Sequence, residues 1–524
     1  MQQLNSCSRR GFVQVAGIAG IGAALADAGL ANAQEVAAEE QADLEPESLE
    51  ADVCVIGAGP TGLTAAAAAA DEGARVLVIE KRPFLGTTGH SITAVGTKWQ
   101  QELGIDMTPE DLVDFLTTYP DPHQDRDMLL FLARESCATI DWLGAHGAEF
   151  VGVCAPPTNP FQEPMRTLVT VGDRDGAKAY LEPLMAYIQE KGVEVRFEVE
   201  ALALKQDANG AVVGVAAKGS DGHEVEIAAR SVVIAAGGYG SNYDLLRRYS
   251  PFNQLSQQFQ GPQTGFAVTA GLKVGAQLVM PGGCTRSYGP DWTLPADNEG
   301  RAIMVTPEGK RFVNENLYFS DCGYLGGEQG ISMCYRLYDQ DLVAALEAEG
   351  VSFAGVDAAL AAGTAYKADS LEQLAAQLGM NAAALVETVQ RYNAACASGV
   401  DEEFGKPAKR TGKIYDPARE LSYMPVMIDK EYTLLNPVAT PPFYALVCEC
   451  KAGGAYTITH GGVKTNTDGQ VLDCLDQPIS GLYAAGESAN GQFLGKWYPQ
   501  SGTSLCICFT MGRFAGASAG RNAL

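Results

Sequence analysis

The run Ala51-Asp-Val-Cys-Val-Ile56 is short and β-rich, and it leads directly into Gly57-Ala58-Gly59-Pro60-Thr61-Gly62. Leu63, Thr64 and six alanines follow; after Gly73 a second apolar run, Arg75 to Ile79, ends at Glu80. Strand, G-x-G-x-x-G, helix, strand and acid thus fall within roughly thirty residues. Each part has a physical task. Gly57 permits the tight turn, Gly59 lets backbone approach a pyrophosphate, and Gly62 lets helix pack on strand. The helix N-terminus faces the phosphates, and Glu80 is placed for ribose hydroxyls. The spacing predicts a dinucleotide-binding unit.

At 524 residues the chain is too long for one ordinary domain. Lys+Arg 37 against Asp+Glu 63 leaves a net charge of −26, which gives no general attraction for nucleic acid or anionic lipid. The first 33 residues read as an address. Ser8-Arg9-Arg10-Gly11-Phe12 is a twin-arginine pattern, Val13 to Leu30 is weakly apolar, and Ala31-Asn32-Ala33 is a small-x-small cleavage site. Export to the periplasmic or other extracytoplasmic face of the envelope is therefore expected. Residues 34–50 are acidic, with few large apolar groups, and read as a solvated linker. Cys448/Cys450 and Cys506/Cys508 form C-x-C pairs without haem or regular cluster spacing and read as small buried hydrophobes; no metal site is assigned, and an irregular cluster or disulfides stay open for them.

Two more strands close on glycines: Ser231 to Ile234 before Gly237-Gly238, and Ile479 to Ala484 before Gly486-Glu487. A helix-like run follows from about Thr503 to Gly520. Both fit pieces of a two-part FAD domain. With Gly309-Lys-Arg-Phe-Val-Asn-Glu315, Arg391-Tyr-Asn393, Phe404-Gly-Lys406 and Gly461-Gly-Val463, most of residues 51–524 resembles the FAD-dependent fumarate reductase, succinate dehydrogenase and 3-ketosteroid dehydrogenase flavoproteins. The resemblance implies an α/β fold: a Rossmann-like FAD domain over 51–261 and 416–524, interrupted by an α+β capping domain over 262–415. Substrate would lie between cap and flavin. FAD would be held by Gly57, Gly59, Pro60, Thr61, Gly62, Glu80, Lys81, Thr88, Gly89, His90, Ser91, Gly237, Gly238, Gly486, Glu487, Ser501, Thr503 and Ser504. His90 lies in Gly89-His90-Ser91-Ile92-Thr93-Ala94-Val95-Gly96, which looks like the loop against the flavin. A covalent bond to FAD and a non-covalent neighbour both remain open for it.

Dicarboxylate reduction needs cations, and the matching positions lack them. Gln277 to Thr285 holds no histidine, Ile458 stands at a second substrate-histidine position with His460 two residues later, and Pro499 falls on or near a substrate arginine. Tyr338 to Val343 offers no proton-donating arginine. Instead Trp497-Tyr498-Pro499-Gln500-Ser501-Gly502 resembles the Tyr-Pro-x-x-Gly signature of the steroid enzymes, in which a phenol and a glycine N–H bind a ketone oxygen. Hydride added to the β-carbon of an enone builds negative charge on that oxygen, so Tyr498 and Gly502 would form an oxyanion hole. Tyr318 is the matching proton donor, with Phe319 if the offset is one residue, and Glu315 matches the glutamate of the fumarate proton path. Glu315 could equally be an ion-pair partner of Arg311. Arg286, Tyr288 and Trp292 are further candidates.

These readings imply an exported FAD enzyme reducing an α,β-unsaturated carbonyl compound of enone or acrylate type. Its electrons would come from an external donor such as a membrane-attached cytochrome. A 3-ketosteroid-type dehydrogenase, or a non-catalytic flavin electron-transfer subunit, are the alternatives.

Overall fold

The computed structural model describes residues 46–86, 88–154, 167–173, 175–250, 261–284, 286–289, 300–317, 319–348, 353, 355–416, 426–452 and 458–524. The expected export signal, most of the acidic segment, Tyr318 and Trp292 lie outside these residues.

Along the first part run β1 (Glu47–Ile56), α1 (Pro60–Asp71), β2 (Val76–Glu80), β3 (Ser91–Thr93), α2 (Pro109–Leu116) and α3 (Arg126–Ala145). Next come β4 (Phe150–Cys154), β5 (Leu168–Val171), β6 (Glu194–Phe197), β7 (Val199–Gln206), β8 (Val212–Gly219) and β9 (Glu224–Ile234). Glu47 to Glu50, read as the end of the linker, are strand. They pair with Val225 to Ala228 of β9, and Leu49 packs against the sheet's core. β1 runs parallel to both β2 and β9, and β2 is parallel to β6. All five residues of β2 are buried, as a central parallel strand covered on both faces requires.

The chain continues through α4 (Phe266–Lys273) and β10 (Leu278–Val279). A second sheet follows, with β11 (Arg286–Gly289), β12 (Ile303–Val305), α5 (Phe319–Glu328), β13 (Met333–Tyr338), β14 (Ala365–Ala368) and α6 (Ala382–Ser398). After β15 (Lys409–Asp416), β16 (Val426–Thr433) and β17 (Phe443–Ala452), it returns through β18 (Gly462–Val463), β19 (Gln470–Leu472), β20 (Pro478–Ala484) and α7 (Thr503–Ala523). The second sheet is antiparallel, ordered β11-β17-β13-β12, with β14 also on β17. The main sheet closes as β19-β20-β9-β1-β2-β6, with β7 and β8 as a meander on β9.

The molecule is thus a two-part α/β domain interrupted by an α+β insert. The sheets divide the chain at other points than 262 and 415. Ala267 of α4 and Ala276 belong to the main sheet's core, and β10 pairs with β18. β17, beyond 415, is the central strand of the inserted sheet.

α1 and α7 lie against each other through small residues. A Cβ at Gly516 would stand 2.1 Å from the Ala65 carbonyl oxygen, and one at Gly512 would stand 2.8 Å from that of Thr61. The alanine run of α1 is therefore a flat face for a second helix, and this contact sets α7 against the nucleotide-type turn.

Candidate active site

Four parallel strands, β1, β2, β9 and β20, end at one edge of the main sheet. Their last residues and following turns supply Gly57, Glu80, Gly237 and Glu487, all lining a cavity of about 270 Å³. Ligands of open α/β sheets bind beyond the carboxyl ends of the strands, where backbone donors point outward. Gly57 takes φ +107, and a Cβ there would stand 2.4 Å from the Ala235 carbonyl oxygen. Gly59 caps α1 without a side-chain hydrogen bond, and a Cβ on it would meet nothing within 4 Å. The first-turn amides of α1 have no intrahelical acceptors and face this open space.

Of the sequence-predicted residues, Gly57, Gly59, Pro60, Thr61, Glu80, Lys81, Thr88, Gly237 and Glu487 line the cavity. Gly62, Gly238 and Gly486 instead make it possible by close packing. Cβ atoms there would stand 1.8 Å from the Gly57 oxygen, 2.1 Å from Thr459 Oγ1 and 2.1 Å from Thr61 Oγ1. Burial, partly offset by a bond from the Gly238 backbone, pushes the Glu487 carboxyl up to about 8. The Gln263 amide nitrogen donates to it at 3.3 Å, while Gln263 Oε1 is buried without a partner. This mixture of open helix-terminal amides, a protonated acid and an unpaired acceptor suits a group carrying pyrophosphate and hydroxyls.

Two expected contacts come out differently. Glu80 Oε1 accepts from the Arg82 backbone at 3.0 Å and from Arg82 Nε at 2.9 Å, while Oε2 accepts from the Ala58 N–H at 3.0 Å. Burial alone would raise this carboxyl, but these donors outweigh it and hold Glu80 below the usual carboxylate range. Ribose hydroxyls would have to share it with Arg82. Ser91 is buried in β3 and donates to Thr170 Oγ1 at 3.1 Å, so its hydroxyl serves the β3–β5 pairing rather than a cofactor. His90 is half-buried just before β3, and its carbonyl accepts from Tyr180 Oη at 3.0 Å. Gly89 touches the other half of the molecule through Leu505, 3.2 Å from where its Cβ would be.

The Tyr498–Gly502 segment is anchored by a residue the motif did not assign. Gln500 Nε2 donates to Thr93 Oγ1 at 2.8 Å, its Oε1 accepts from Thr167 Oγ1 at 3.2 Å, and Thr93 Oγ1 donates to the Ser501 carbonyl at 3.2 Å. Gly502 turns at φ +85 to start α7. Its N–H donates to no group among the described residues. Tyr498 is buried, and its hydroxyl oxygen accepts from the Ser504 N–H at 3.3 Å, leaving its own proton to be given elsewhere. Burial, against that single bond, keeps the phenol protonated well above its ordinary range. Thr503 Oγ1 is buried beside them with no partner.

His460 stands 5.9 Å from the Tyr498 ring, centroid to centroid. Its Nδ1 bonds the Gly495 carbonyl at 2.7 Å, and Nε2 is buried and unpartnered. Burial pulls its pKa down to about 4, against the Gly495 bond and Asp121, so the imidazole is neutral at physiological pH. With Nδ1 donating to a carbonyl, Nε2 carries the lone pair. It is not a cation for a carboxylate.

Glu315 is not free to carry protons. Arg311 grips both oxygens at 2.9 and 2.8 Å, Lys406 Nζ lies 3.4 Å away, and the Met304 N–H donates at 3.1 Å. Asp401 completes the network at 2.9 Å from Arg311, whose guanidinium lies between the Tyr392 and Phe404 rings. Burial would raise Glu315, but Lys406 and Arg311 outweigh it and hold it ionised. It is the charge partner of the insert's core. Tyr288 is likewise committed, donating to the Ile331 carbonyl at 2.6 Å. Tyr318, the expected proton donor, lies outside the described residues.

Sequence reasoning gave no site role to Arg82, Gln263 and Cys508, which line the cavity, or to Asp321, which lines a smaller one. Arg82 could have been suspected from its place two residues after Glu80. The other three reach their places only through tertiary packing.

Known proteins bear on this geometry. A family model described as FAD binding domain matches residues 52–505. Urocanate reductase of Eggerthella lenta is 29% identical over 495 residues, covering 90% of this chain and 75% of that protein. The open conformation of a flavocytochrome c3 fumarate reductase superposes with a TM-score of 0.68 at 25% identity, covering 94% of this chain and 81% of the other. The 3-ketosteroid-Δ4-(5α)-dehydrogenase of Rhodococcus jostii RHA1 gives 0.70 at 25% identity, covering 91% and 100%. The cavity suits FAD, with Gly57, Gly59 and the first turn of α1 placed for its pyrophosphate and Glu487 for a hydroxyl. The chain belongs to the FAD binding domain family and is an FAD-dependent oxidoreductase of the fumarate reductase and succinate dehydrogenase flavoprotein kind, acting on CH–CH bonds.

Proposed function

We propose that this protein reduces the activated double bond of an α,β-unsaturated carbonyl compound, of enone or acrylate type. One observation carries the reading: the uncommitted Tyr498 proton and the uncommitted Gly502 N–H lie at the start of the same helix. Bound FAD supplies the hydride. Tyr498 and Gly502 hold the carbonyl oxygen as it gains negative charge, each donor stabilising that charge by roughly 3–4 kcal/mol. Gln500 fixes the segment so that both donors keep their aim. The neutral His460 and the buried surroundings favour a substrate end that is not a second carboxylate. Urocanate, the substrate named by the Eggerthella relative, is an acrylate of that sort.

The reading extends to the cell. The twin-arginine pattern at Ser8 to Phe12 supports export to the extracytoplasmic face. There NAD(P)H is absent and electrons would come from an external donor such as a membrane-attached cytochrome.

A panel of enones and acrylates, supplied anaerobically with reduced methyl viologen, tests the proposal. Viologen oxidation is expected with one or more of them. Tyr498→Phe should lower kcat about 10²- to 10³-fold with flavin content unchanged. Turnover unaffected by that change would remove the oxyanion role. A second reading, a 3-ketosteroid-type dehydrogenase, is favoured by full coverage of the Rhodococcus chain. It predicts reduction of a dye by saturated ketones and no viologen oxidation.

A further inference from the structure

Adding hydrogen across a carbon–carbon double bond takes one hydride and one proton. The two electrons come from the external one-electron donor, and the proton is drawn from water. A proton path into the site is therefore required. Glu315, which matches the family's relay glutamate, is clamped by Arg311 and Lys406 and stays ionised. Among the described residues another acid is open to that task.

Asp321 lies in the first turn of α5, on the insert, and is only 5% exposed. Its carboxylate makes no hydrogen bond and no ion pair among the described residues. A buried carboxyl without partners costs several kcal/mol when ionised, so such groups persist where they have a task. It borders a second, smaller cavity of about 20 Å³, room for one water. That cavity is walled by Tyr119, Gln124, Gly495, Trp497 and Pro499. Tyr119, 36% exposed, is its solvent edge, and Trp497 and Pro499 flank Tyr498 in sequence. Asp321 thus stands between solvent and the segment that holds the substrate carbonyl.

We infer that Asp321 is the proton-relay residue of this enzyme, passing a proton from water at the Tyr119 edge toward the site beneath the insert. This rests on the reductase reading above. In each turnover Asp321 gives up its O–H proton toward the site and regains one from the cavity water, so it ends unchanged. The relay form is the protonated acid. Burial pushes its carboxyl up to about 7, so that form is present at neutral pH and is lost as pH rises. The groups facing it do not oppose this. Tyr119 comes from the loop after α2, Gln124 from the turn before α3, and Cys322 from α5 itself. Trp497 and Pro499 bring no charge, and Asp121, behind Gly495, is occupied by His123 and the Lys496 N–H.

The test uses the full-length, FAD-loaded protein. In Asp321→Asn, kcat should fall about 10²-fold with KM unchanged, and the alkaline limb of the kcat–pH profile near 7 should disappear. Asp321→Glu should restore most of the rate and the limb. Infrared difference spectra of the oxidised, substrate-free protein between acid and alkaline pH should show the band of a protonated carboxyl. That band should be missing in the Asn variant. An Asn variant with wild-type kcat, with the limb in place, or with a raised KM alone would overturn the relay. So would an infrared titration that the Asn change leaves untouched. The spectra need no substrate, so they judge Asp321 even if the whole enone and acrylate panel is inert, which would count against the reductase reading alone.

Discussion

At the scale of single residues, burial pushes two groups at and beside the candidate site toward their neutral forms. Asp321 is held up to about 7 and His460 down to about 4. Their ordinary values are about 3.9 and 6.5. The signs of the two effects on stability oppose each other. Between about pH 4 and 7 the folded protein keeps the Asp321 proton that the unfolded chain has released, so this residue makes stability fall as pH rises. Between about pH 4 and 6.5 the unfolded chain binds a His460 proton that the folded protein refuses, so this residue makes stability rise with pH. Calorimetric Tm values measured from pH 4 to 7 should separate them. Asp321→Asn should leave a Tm that climbs more steeply with pH than wild type. His460→Gln should leave one that climbs less or falls. Parallel curves for all three proteins would mean that neither group is buried as described.

At the scale of elements, the contact between α1 and α7 decides where both the nucleotide-type turn and the Tyr498–Gly502 donors stand. Gly512 and Gly516 bring α7 down onto the backbone of α1, and the atoms they approach are carbonyl oxygens that cannot move aside. Gly516→Ala, harmless on an open helix face, should therefore cost about 1–3 kcal/mol. It should lower the urea midpoint and weaken FAD retention together. An unchanged midpoint would show that the helices can separate freely. Much of this layer was legible beforehand, because glycine and alanine spacing is a local signal: the strand, the turn, α1, β2 and the start of α7 follow from it. The assignment of segments to sheets was not. Nothing in Phe266 to Val279 distinguishes a helix and strand that pack against the main sheet's core from ones that join the insert. Phe443 to Ala452 reads as a strand without saying which neighbours it takes. Pairing partners far apart in sequence settle both.

At the scale of the whole molecule, the two layers meet along one seam, and the site lies on it. The signature at Tyr498 and Gly502 could be read in the sequence, but its fastening by Gln500 to Thr93 and Thr167 joins residues hundreds of positions apart. The same is true of the seam's aromatic contact. Trp497, from the returning part, has Tyr119 of the first part stacked on it at 4.8 Å and Tyr324 of the insert tilted against it at 4.3 Å. Three separated stretches of chain are thus held by one indole, directly above the Asp321 cavity. Each ring pair adds about 0.5–1.5 kcal/mol beyond its buried area. Trp497→Ala should therefore loosen the insert against the main domain without unfolding either. Amide hydrogen exchange should quicken in α5 while β1, β2 and β9 keep their protection, because the core of the main sheet does not depend on the indole. FAD content should hold, since the cavity that fits FAD shares no lining residue with the smaller cavity beside this contact. Turnover should fall more than FAD content, because a loosened insert would let water reach the reacting atoms. Exchange that stays slow throughout α5 would mean the layers are joined by other contacts and that Trp497 merely fills space.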